Sequence, residues 1–202
     1  YLSLYQATGN QHWLRRSKRT LQFIEKQFRD AGSGYVNSQV QESAVGVFAT
    51  AVKQRDENIR LARITNLAYH YSGDESLLDI HDHAMKYMTS DDVIDDRFFL
   101  PGLLLAAEEK DKTPIHITIV GKKDDPSAME LHTRARTYPV DYLRVDWWDR
   151  SEGRLMNDDI EYPELARSAA FACSENSCSL PIFSTERLHA EVDRLLQPVS
   201  MN

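Results

Sequence analysis

The sequence predicts a mainly α-helical chain that ends in a small α/β unit. Two observations support this fold class. A glycine-centred turn between two helices occurs twice in the first half, and the hydrophobic period changes from helical to alternating at Ile115. We therefore predict helical hairpins over residues 1–112 and a small α/β domain over residues 113–202.

The repeated turn is the basis for predicting hairpins. Tyr5-Gln-Ala-Thr-Gly9-Asn10 reappears 64 residues later as Tyr69-His-Tyr-Ser-Gly73-Asp74. In both copies glycine suits the left-handed residue that ends a helix, and Asn or Asp suits the cap of the next helix. Two helices joined in this way form an αα-hairpin, and hairpins repeated at this spacing predict a toroid or solenoid of helix pairs.

The remaining helical segments follow from the same periodicity. Residues 56–71 read as the first helix of the second hairpin, and Asp74 caps the helix after it. A third apolar helix is predicted from Pro101, because proline suits the first position of a helix. Residues 41–54 fit either a loop or a helix.

The alternating part predicts the order β-α-β-β-α with a parallel core. Residues 115–120 alternate and end at Gly121, so they read as a strand. Asp125 and Pro126 then mark the start of a helix that reaches residue 136. The later elements are a strand over residues 142–147, a strand over residues 168–173, and a helix from Ser184 or Thr185 to residue 196.

Composition limits the classes of partner and compartment. The 202 residues include 24 basic and 31 acidic side chains, a net charge of −7 that argues against nucleic acid or an anionic membrane as the main partner. No run approaches the roughly 18 apolar residues of a membrane helix. Two cysteines are too few for a disulfide scaffold, so we expect a cytoplasmic protein, with the periplasm as the alternative. The chain begins without Met and as if inside a helix, which predicts a fragment of a longer protein.

Cys173 and Cys178 form a C-x4-C pair after the third predicted strand. Three interpretations stay open: structural cysteines, free or bridged; a redox pair; or metal ligands. A thioredoxin-type dithiol has the spacing C-x-x-C, and a zinc site needs about four ligands, so neither pattern is matched. The spacing does permit a disulfide.

Acidic residues open the second predicted hairpin. Asp56 and Glu57 lie at the start of a helix, where the helix dipole favours carboxylates. The functional alternative is that they face the centre of a toroid as acid/base groups, a chemistry that requires two carboxyl groups at a defined separation. The candidates for the second carboxylate, none favoured by the sequence, are Glu42, Glu108 and Glu109.

No cofactor or metal ion is predicted. The strand-to-helix loop that follows Val120 lacks both glycine-rich nucleotide motifs. Trp147 and Trp148 have faces that suit a sugar or a base, but aromatic residues at a strand end more often cover a core or an interdomain seam.

Several segments together resemble a family of thioredoxin-domain-containing proteins typified by spermatogenesis-associated protein 20. The resemblance spans essentially the whole chain. The residues that carry it are Asp56-Glu-Asn58-Ile-Arg-Leu-Ala62-Arg63, Tyr71-Ser-Gly73-Asp74, Ala84-Met-Lys-Tyr87, His116-Ile-Thr-Ile-Val120-Gly121-Lys-Lys-Asp124-Asp125-Pro126, Trp147-Trp148-Asp149, Ala170-Phe-Ala-Cys173 and Cys178-Ser-Leu-Pro181.

The resemblance implies an upstream thioredoxin-like domain and an (α/α) toroid similar to six-hairpin glycosidases and N-acylglucosamine 2-epimerases. This chain would then be the last hairpins of an incomplete toroid, followed by an α/β appendage. Cys173 and Cys178 match a recurrent cysteine pair of the family, and no catalytic residue carries over.

Three functional hypotheses follow. The first is a structural or ligand-binding platform, the second a carbohydrate-active toroid with inward carboxylates, and the third a thiol–disulfide role for Cys173 and Cys178. The expected partners are the missing N-terminal portion of the parent protein, a small sugar-like ligand, and further copies of the chain, because an incomplete ring exposes apolar surface.

Overall fold

The computed structural model describes residues 1–41, 43–95, 101–174 and 177–196. The chain is mainly helical and contains a small three-stranded sheet. Its elements are α1 (Leu2–Thr8), α2 (Gln11–Phe28), α3 (Arg55–Ser72), α4 (Ser76–Met88), α5 (Asp91–Ile94), α6 (Pro101–Lys110), β1 (Ile115–Val120), α7 (Pro126–Arg136), β2 (Leu143–Trp148), β3 (Ala169–Cys173) and α8 (Thr185–Leu196), with 3-10 turns at Gly46–Ala49 and Arg150–Glu152.

Contacts divide the chain into two compact units. The α/β unit comprises Tyr1–Leu14, His70–Ser72 and Thr113–Asn202, and the helical unit comprises Arg15–Tyr69 and Gly73–Lys112. This division groups the first 14 residues with the sheet rather than with the hairpins. No helix among the described residues has both the length and the apolar character needed to cross a membrane.

Both predicted glycine turns are confirmed. Gly9 and Gly73 end α1 and α3 with φ of 63° and 67°, and their N–H groups donate to the carbonyl oxygens of Tyr5 and Tyr69. The Asn10 side chain accepts from the N–H of His12 at 2.9 Å at the start of α2. Asp74 lies two residues before α4 and accepts from the N–H of Ser76 at 3.1 Å.

The helical unit is held together by buried polar contacts as well as by apolar packing. The Asn58 side chain bonds both backbone groups of Tyr35, with Oδ1 accepting at 2.8 Å and Nδ2 donating at 2.9 Å. His81 Nδ1 lies 2.9 Å from the Ala62 carbonyl oxygen and joins α4 to α3. Over residues 41 and 43–54, where the sequence fits either a loop or a helix, the structure has irregular chain with one 3-10 turn, Gly46–Ala49.

The predicted element order β-α-β-β-α is confirmed, but only part of the sheet is parallel. β1 lies in the centre and pairs with β2 in parallel and with β3 in the antiparallel direction. Trp148 at the end of β2 and Ala169 at the start of β3 both lie opposite Val120. The chain between them therefore stays at the end of the sheet where β1 and β2 finish, whereas a parallel β3 would need a connection that runs back to the opposite end.

One face of the sheet forms the apolar core of the α/β unit. Side chains alternate between the two faces of a strand, so every second residue of each strand points to this side. These residues pack against α7 and α8. The core members are Ile117, Ile119, Val145, Trp147, Ala170, Ala172, Ala128, Leu131, Ala135, Tyr138, Ile182, Leu188 and Val192.

The outer edge of β2 is covered by side chains rather than by another strand. The N–H of Val145 donates to the Tyr71 hydroxyl at 2.8 Å. Gln6 Nε2 donates to the Leu143 carbonyl oxygen at 3.3 Å and to the Tyr71 hydroxyl at 3.2 Å. Residues from the beginning of the chain and from the end of α3 therefore satisfy a strand edge that would otherwise be free to pair.

Candidate functional site

A row of polar side chains crosses the second face of the sheet. Strand register places Arg144 opposite His116, and His116 opposite Cys173. Residues directly opposite each other point to the same face. Arg144, His116 and Cys173 are 4%, 7% and 4% exposed, so a cation, an imidazole and a sulfur atom lie side by side in a nearly buried row.

Asp146 is the centre of the polar cluster on this face. It lies two residues after Arg144 on β2 and therefore faces the same side. Its Oδ2 accepts from Arg144 Nε at 2.7 Å and lies 3.0 Å from His116 Nε2. Its Oδ1 accepts a short hydrogen bond from the Tyr5 hydroxyl. With these three partners the carboxylate is buried but fully bonded, as a buried charge must be.

These contacts fix the charge state of the cluster. Burial alone would raise the pKa of Asp146, but Arg144 and the hydrogen bond from His116 outweigh it and hold that pKa well below its ordinary value. Burial, and next the charge of Arg144, lower the pKa of His116 although Asp146 opposes them. Burial followed by the charge of Asp146 raises the pKa of Tyr5. At neutral pH the cluster contains an ionised Asp146, a cationic Arg144, a neutral imidazole and a neutral phenol.

Two hydroxyl groups complete the surroundings of His116. Thr118 Oγ1 lies 2.8 Å from His116 Nε2 and accepts from the Tyr162 hydroxyl at 2.7 Å. Because Asp146 is ionised, the proton of the imidazole belongs on Nε2, where it can be shared between the carboxylate and Thr118. The tautomer is therefore set by the surroundings, and Nδ1 keeps its lone pair.

Cys173 and Cys178, five positions apart, form a disulfide at the end of β3. The N–H of Ser174 donates to the Ser177 carbonyl oxygen at 2.9 Å, and the N–H of Ser179 donates to the Ala172 carbonyl oxygen at 2.7 Å. The two cysteines differ in accessibility, since Cys173 is buried and Cys178 is exposed. An incoming thiol can therefore approach Cys178 far more easily than Cys173.

The disulfide lines an open pocket of about 400 Å³. His116 and Arg144 from the polar row form part of its wall, together with His70 and Asp159. Arg144 Nη1 lies 3.9 Å from Asp159 Oδ2. Burial, and next the charge of Arg144, lower the pKa of His70 to about 4, so its imidazole is neutral at pH 7. The wall of the pocket thus contains the disulfide, two neutral imidazoles and the guanidinium of Arg144.

The carboxylates singled out in the helical part differ in burial and in their partners. Asp56 and Glu57 are exposed in the first turn of α3. Glu109 is buried and accepts from Arg63 Nε at 2.9 Å, while Glu108 is exposed and pairs with Lys112. Glu42 lies outside the described residues. A carbohydrate-active function based on these residues therefore stays a prediction.

The two tryptophans at the end of β2 serve the structure of the α/β unit. Trp147 belongs to the apolar core and donates from Nε1 to the Gly121 carbonyl oxygen at 3.1 Å. Trp148 lies on the opposite face, donates to the Gly153 carbonyl oxygen at 2.9 Å, and is covered by the Arg150 guanidinium 4.9 Å from its ring centre. This arrangement agrees with the prediction that aromatic residues at this strand end cover a core.

The sequence pattern indicates the cysteines but not the residues around them. Arg144, Asp146 and His116 fit ordinary strand positions, and Tyr5 fits the repeat. A signal was present in the strands, because polar side chains occupy every second position of otherwise apolar segments.

Two findings complete the description of the site. Among the residues that the structure describes, no group of three His, Cys, Asp or Glu side chains is arranged to hold a metal ion. No protein-family model, curated protein or solved structure matches this chain.

Proposed function

We propose that the α/β unit carries out thiol–disulfide exchange at Cys173 and Cys178. One observation carries the proposal: the disulfide lies in the wall of an open pocket, and Cys178 is exposed whereas Cys173 is buried. Exchange requires an accessible sulfur for the incoming thiolate and a partner sulfur that can leave. The asymmetry of the two cysteines assigns the first role to Cys178 and the second to Cys173.

The exchange balances with a dithiol as the reductant. A thiolate of the dithiol attacks Sγ of Cys178, the Cys173–Cys178 bond breaks, and its electron pair stays on Cys173 as a thiolate. The second thiolate of the dithiol then attacks the first sulfur of the same dithiol, which is bonded to Cys178 in the mixed disulfide. This attack releases Cys178 as a thiolate. The protein gains two electrons and two protons, and the dithiol becomes a disulfide.

The sheet is expected to stay folded when the disulfide is reduced. β3 keeps its antiparallel pairing with β1 whether or not the sulfurs are joined, because that pairing uses main-chain groups. The disulfide closes a loop of only six residues, so its contribution to the unfolding free energy by the chain-entropy estimate is about 2 kcal/mol. Reduction should therefore loosen the turn and the pocket wall while leaving the sheet folded.

A redox titration tests the proposal. The protein is equilibrated with buffers of defined potential, free thiols are blocked, and the two forms are counted by mass. We expect Cys173 and Cys178 to titrate as one two-electron couple between about −180 and −270 mV, the range of protein dithiols that exchange. Structural disulfides have potentials below about −300 mV, so a bond that stays oxidised there would contradict the proposal.

Matched single variants test which sulfur is attacked. Cys173→Ser leaves the exposed thiol and Cys178→Ser leaves the buried one, and both variants lack the bridge. We expect Cys173→Ser to form a mixed disulfide with glutathione disulfide on the order of tenfold faster than Cys178→Ser, because access limits the reaction. Equal rates for the two variants would remove the assigned roles.

We further propose that the helical hairpins belong to an (α/α) toroid that serves as a platform. Two features support this: the resemblance of the sequence, and the identical glycine turns that end α1 and α3. In the helical unit, Val45, Val47 and Phe48 are 80%, 84% and 79% exposed, a cluster of apolar side chains that suits contact with another polypeptide. Further hairpins of the same protein are the proposed partner.

Elution with light scattering checks this second proposal. At micromolar concentration the chain is expected to elute as a species larger than its 23.2 kDa monomer. The double variant Val47→Ser/Phe48→Ser should shift the profile toward the monomer, whereas Ser substitution of the half-buried Leu103 should not. A monomeric wild-type profile would count against an incomplete ring.

A further inference from the structure

We infer that His116 takes the proton of the Cys173 thiol during disulfide exchange and that Asp146 holds the imidazole in position for this task. The inference rests on the proposed thiol–disulfide function and adds to it a residue that the cysteine spacing does not indicate. It is carried by strand register, by the hydrogen bonds of the imidazole, and by the pocket that both side chains line.

Register brings the two side chains together. His116 on β1 and Cys173 on β3 are direct partners in the antiparallel ladder. Side chains in this relation share a face, and their Cβ atoms are about 4.5–5.5 Å apart. Both residues also line the same pocket of about 400 Å³. His116 is therefore the side chain directly across from Cys173 on this face of the sheet.

Hydrogen bonds leave one nitrogen of His116 suited to act as a base. Nε2 lies 3.0 Å from Asp146 Oδ2 and 2.8 Å from Thr118 Oγ1, so both contacts involve the same nitrogen. Asp146 stays ionised beside Arg144 and therefore keeps the proton on Nε2. Nδ1 is then the basic nitrogen, and the carboxylate stabilises the imidazolium that forms when Nδ1 takes a proton.

The step can be written for the oxidation direction. A mixed disulfide joins Cys178 to a partner thiol, and the Cys173 thiol gives its proton to His116 Nδ1. The Cys173 thiolate attacks Sγ of Cys178, the bond between Cys173 and Cys178 forms, and the partner leaves as a thiolate. In reduction the imidazolium returns the proton to Cys173 as it leaves.

Charged and titratable groups surround His116 on every side. β2 supplies Arg144 and Asp146, the segment after β2 supplies Asp159, and the end of α3 supplies His70. Burial and Arg144 lower the pKa of His116, so the imidazole is unprotonated and able to accept a proton at neutral pH. The alternative is that His116 merely fills a polar core, in which case the titration of Cys173 is independent of it.

Thiolate absorbance in a Cys178→Ser background distinguishes a His116 that accepts the Cys173 proton from a His116 that only fills a polar core. Cys173 is then the only thiol, and the thiolate is followed at 240 nm across the pH range. We expect the apparent pKa of Cys173 to rise by about one unit when His116→Gln is added, with about a tenfold loss of thiolate at pH 7. Thr118→Val is the matched control, because it removes a neighbour of Nε2 but keeps the imidazole. A pKa that is the same with and without His116 overturns the inference.

A second measurement needs no substitution. In the intact chain, the nuclear magnetic resonance titration of His116 is compared before and after reduction of the disulfide. Coupling to a thiolate should raise the pKa of His116 in the reduced protein, and an identical titration in both states also overturns the inference. These results are separate from the redox titration. If Cys173 and Cys178 exchange normally and the titration of Cys173 does not depend on His116, the inference fails but the proposed function stands.

Discussion

Replacing Arg144 with leucine is expected to lower the unfolding free energy of the α/β unit by about 3–5 kcal/mol. The substitution leaves the Asp146 carboxylate in a site where it is 1% exposed and has lost its cation. A buried ion pair contributes little net stability when complete, but a single unpaired charge is costly. Urea unfolding followed by tryptophan fluorescence measures the effect, because Trp13, Trp147 and Trp148 all lie in the α/β unit.

The pH dependence of this loss identifies its cause. In the wild type the pKa of Asp146 lies below its unfolded value of about 3.9, so its stabilisation is present above that pH and disappears as the pH falls below it. In Arg144→Leu, burial without the cation raises the pKa above the unfolded value, so the variant loses stability as the pH rises. The difference between the two proteins should therefore be larger at pH 7 than at pH 4.

A matched control is available on the same unit. Arg154 pairs with Asp158 at 3.1 Å, but its side chain is 86% exposed. Exposed pairs contribute about 0–1 kcal/mol, so Arg154→Leu should be close to neutral at both pH values. A similar loss for Arg144→Leu and Arg154→Leu would mean that the cluster around Asp146 is not a buried charge site.

The second large effect is expected for Gly9→Ala, at about 2–5 kcal/mol. Gly9 has φ of 63°, a conformation that costs an alanine about 1–2 kcal/mol. An added Cβ would also lie 2.5 Å from Trp147 Cβ, a backbone-linked atom in the apolar core that has little freedom to move. Overpacking of this kind costs a further 1–3 kcal/mol or so. The measurement is urea unfolding followed by circular dichroism.

Gly46→Ala separates the two causes. Gly46 has nearly the same φ, 62°, and a Cβ built there meets no described atom within 4 Å. It therefore carries the conformational cost without the steric one, and should be destabilised by about 1–2 kcal/mol at most. If Gly9→Ala were no worse than Gly46→Ala, the contact with Trp147 would have no energetic weight.

Much of the local structure follows from the sequence because local causes produce it. Gly9 and Gly73 end helices because glycine adopts a positive φ without a steric penalty. Pro126 begins α7 because its fixed φ and missing N–H suit the first position of a helix. β1 was predicted with its observed bounds because alternation is visible within the strand itself. The C-x4-C spacing permitted a disulfide, and the two cysteines can be bridged because the turn between them is short.

The remaining features are contacts between segments that are far apart in the sequence, and no local pattern predicts such contacts. The direction of β3 is set by residues 149–168, which have no helical or alternating period, so a parallel strand was expected where an antiparallel one occurs. Arg144 meets His116 only through the register of two strands separated by a helix. Tyr5 and Asp146 are 141 positions apart, and no pattern in either segment predicts the hydrogen bond between them.

That last contact also sets an order of events during synthesis. α1 is synthesised before β2, yet the carboxylate that its Tyr5 hydroxyl bonds belongs to that strand, 141 residues later. The helical unit lies almost wholly between these two segments and can fold while the remainder is still being made. α1 can pack against the sheet only after β2 has been made, so the polar cluster forms among the last events in the folding of these two segments.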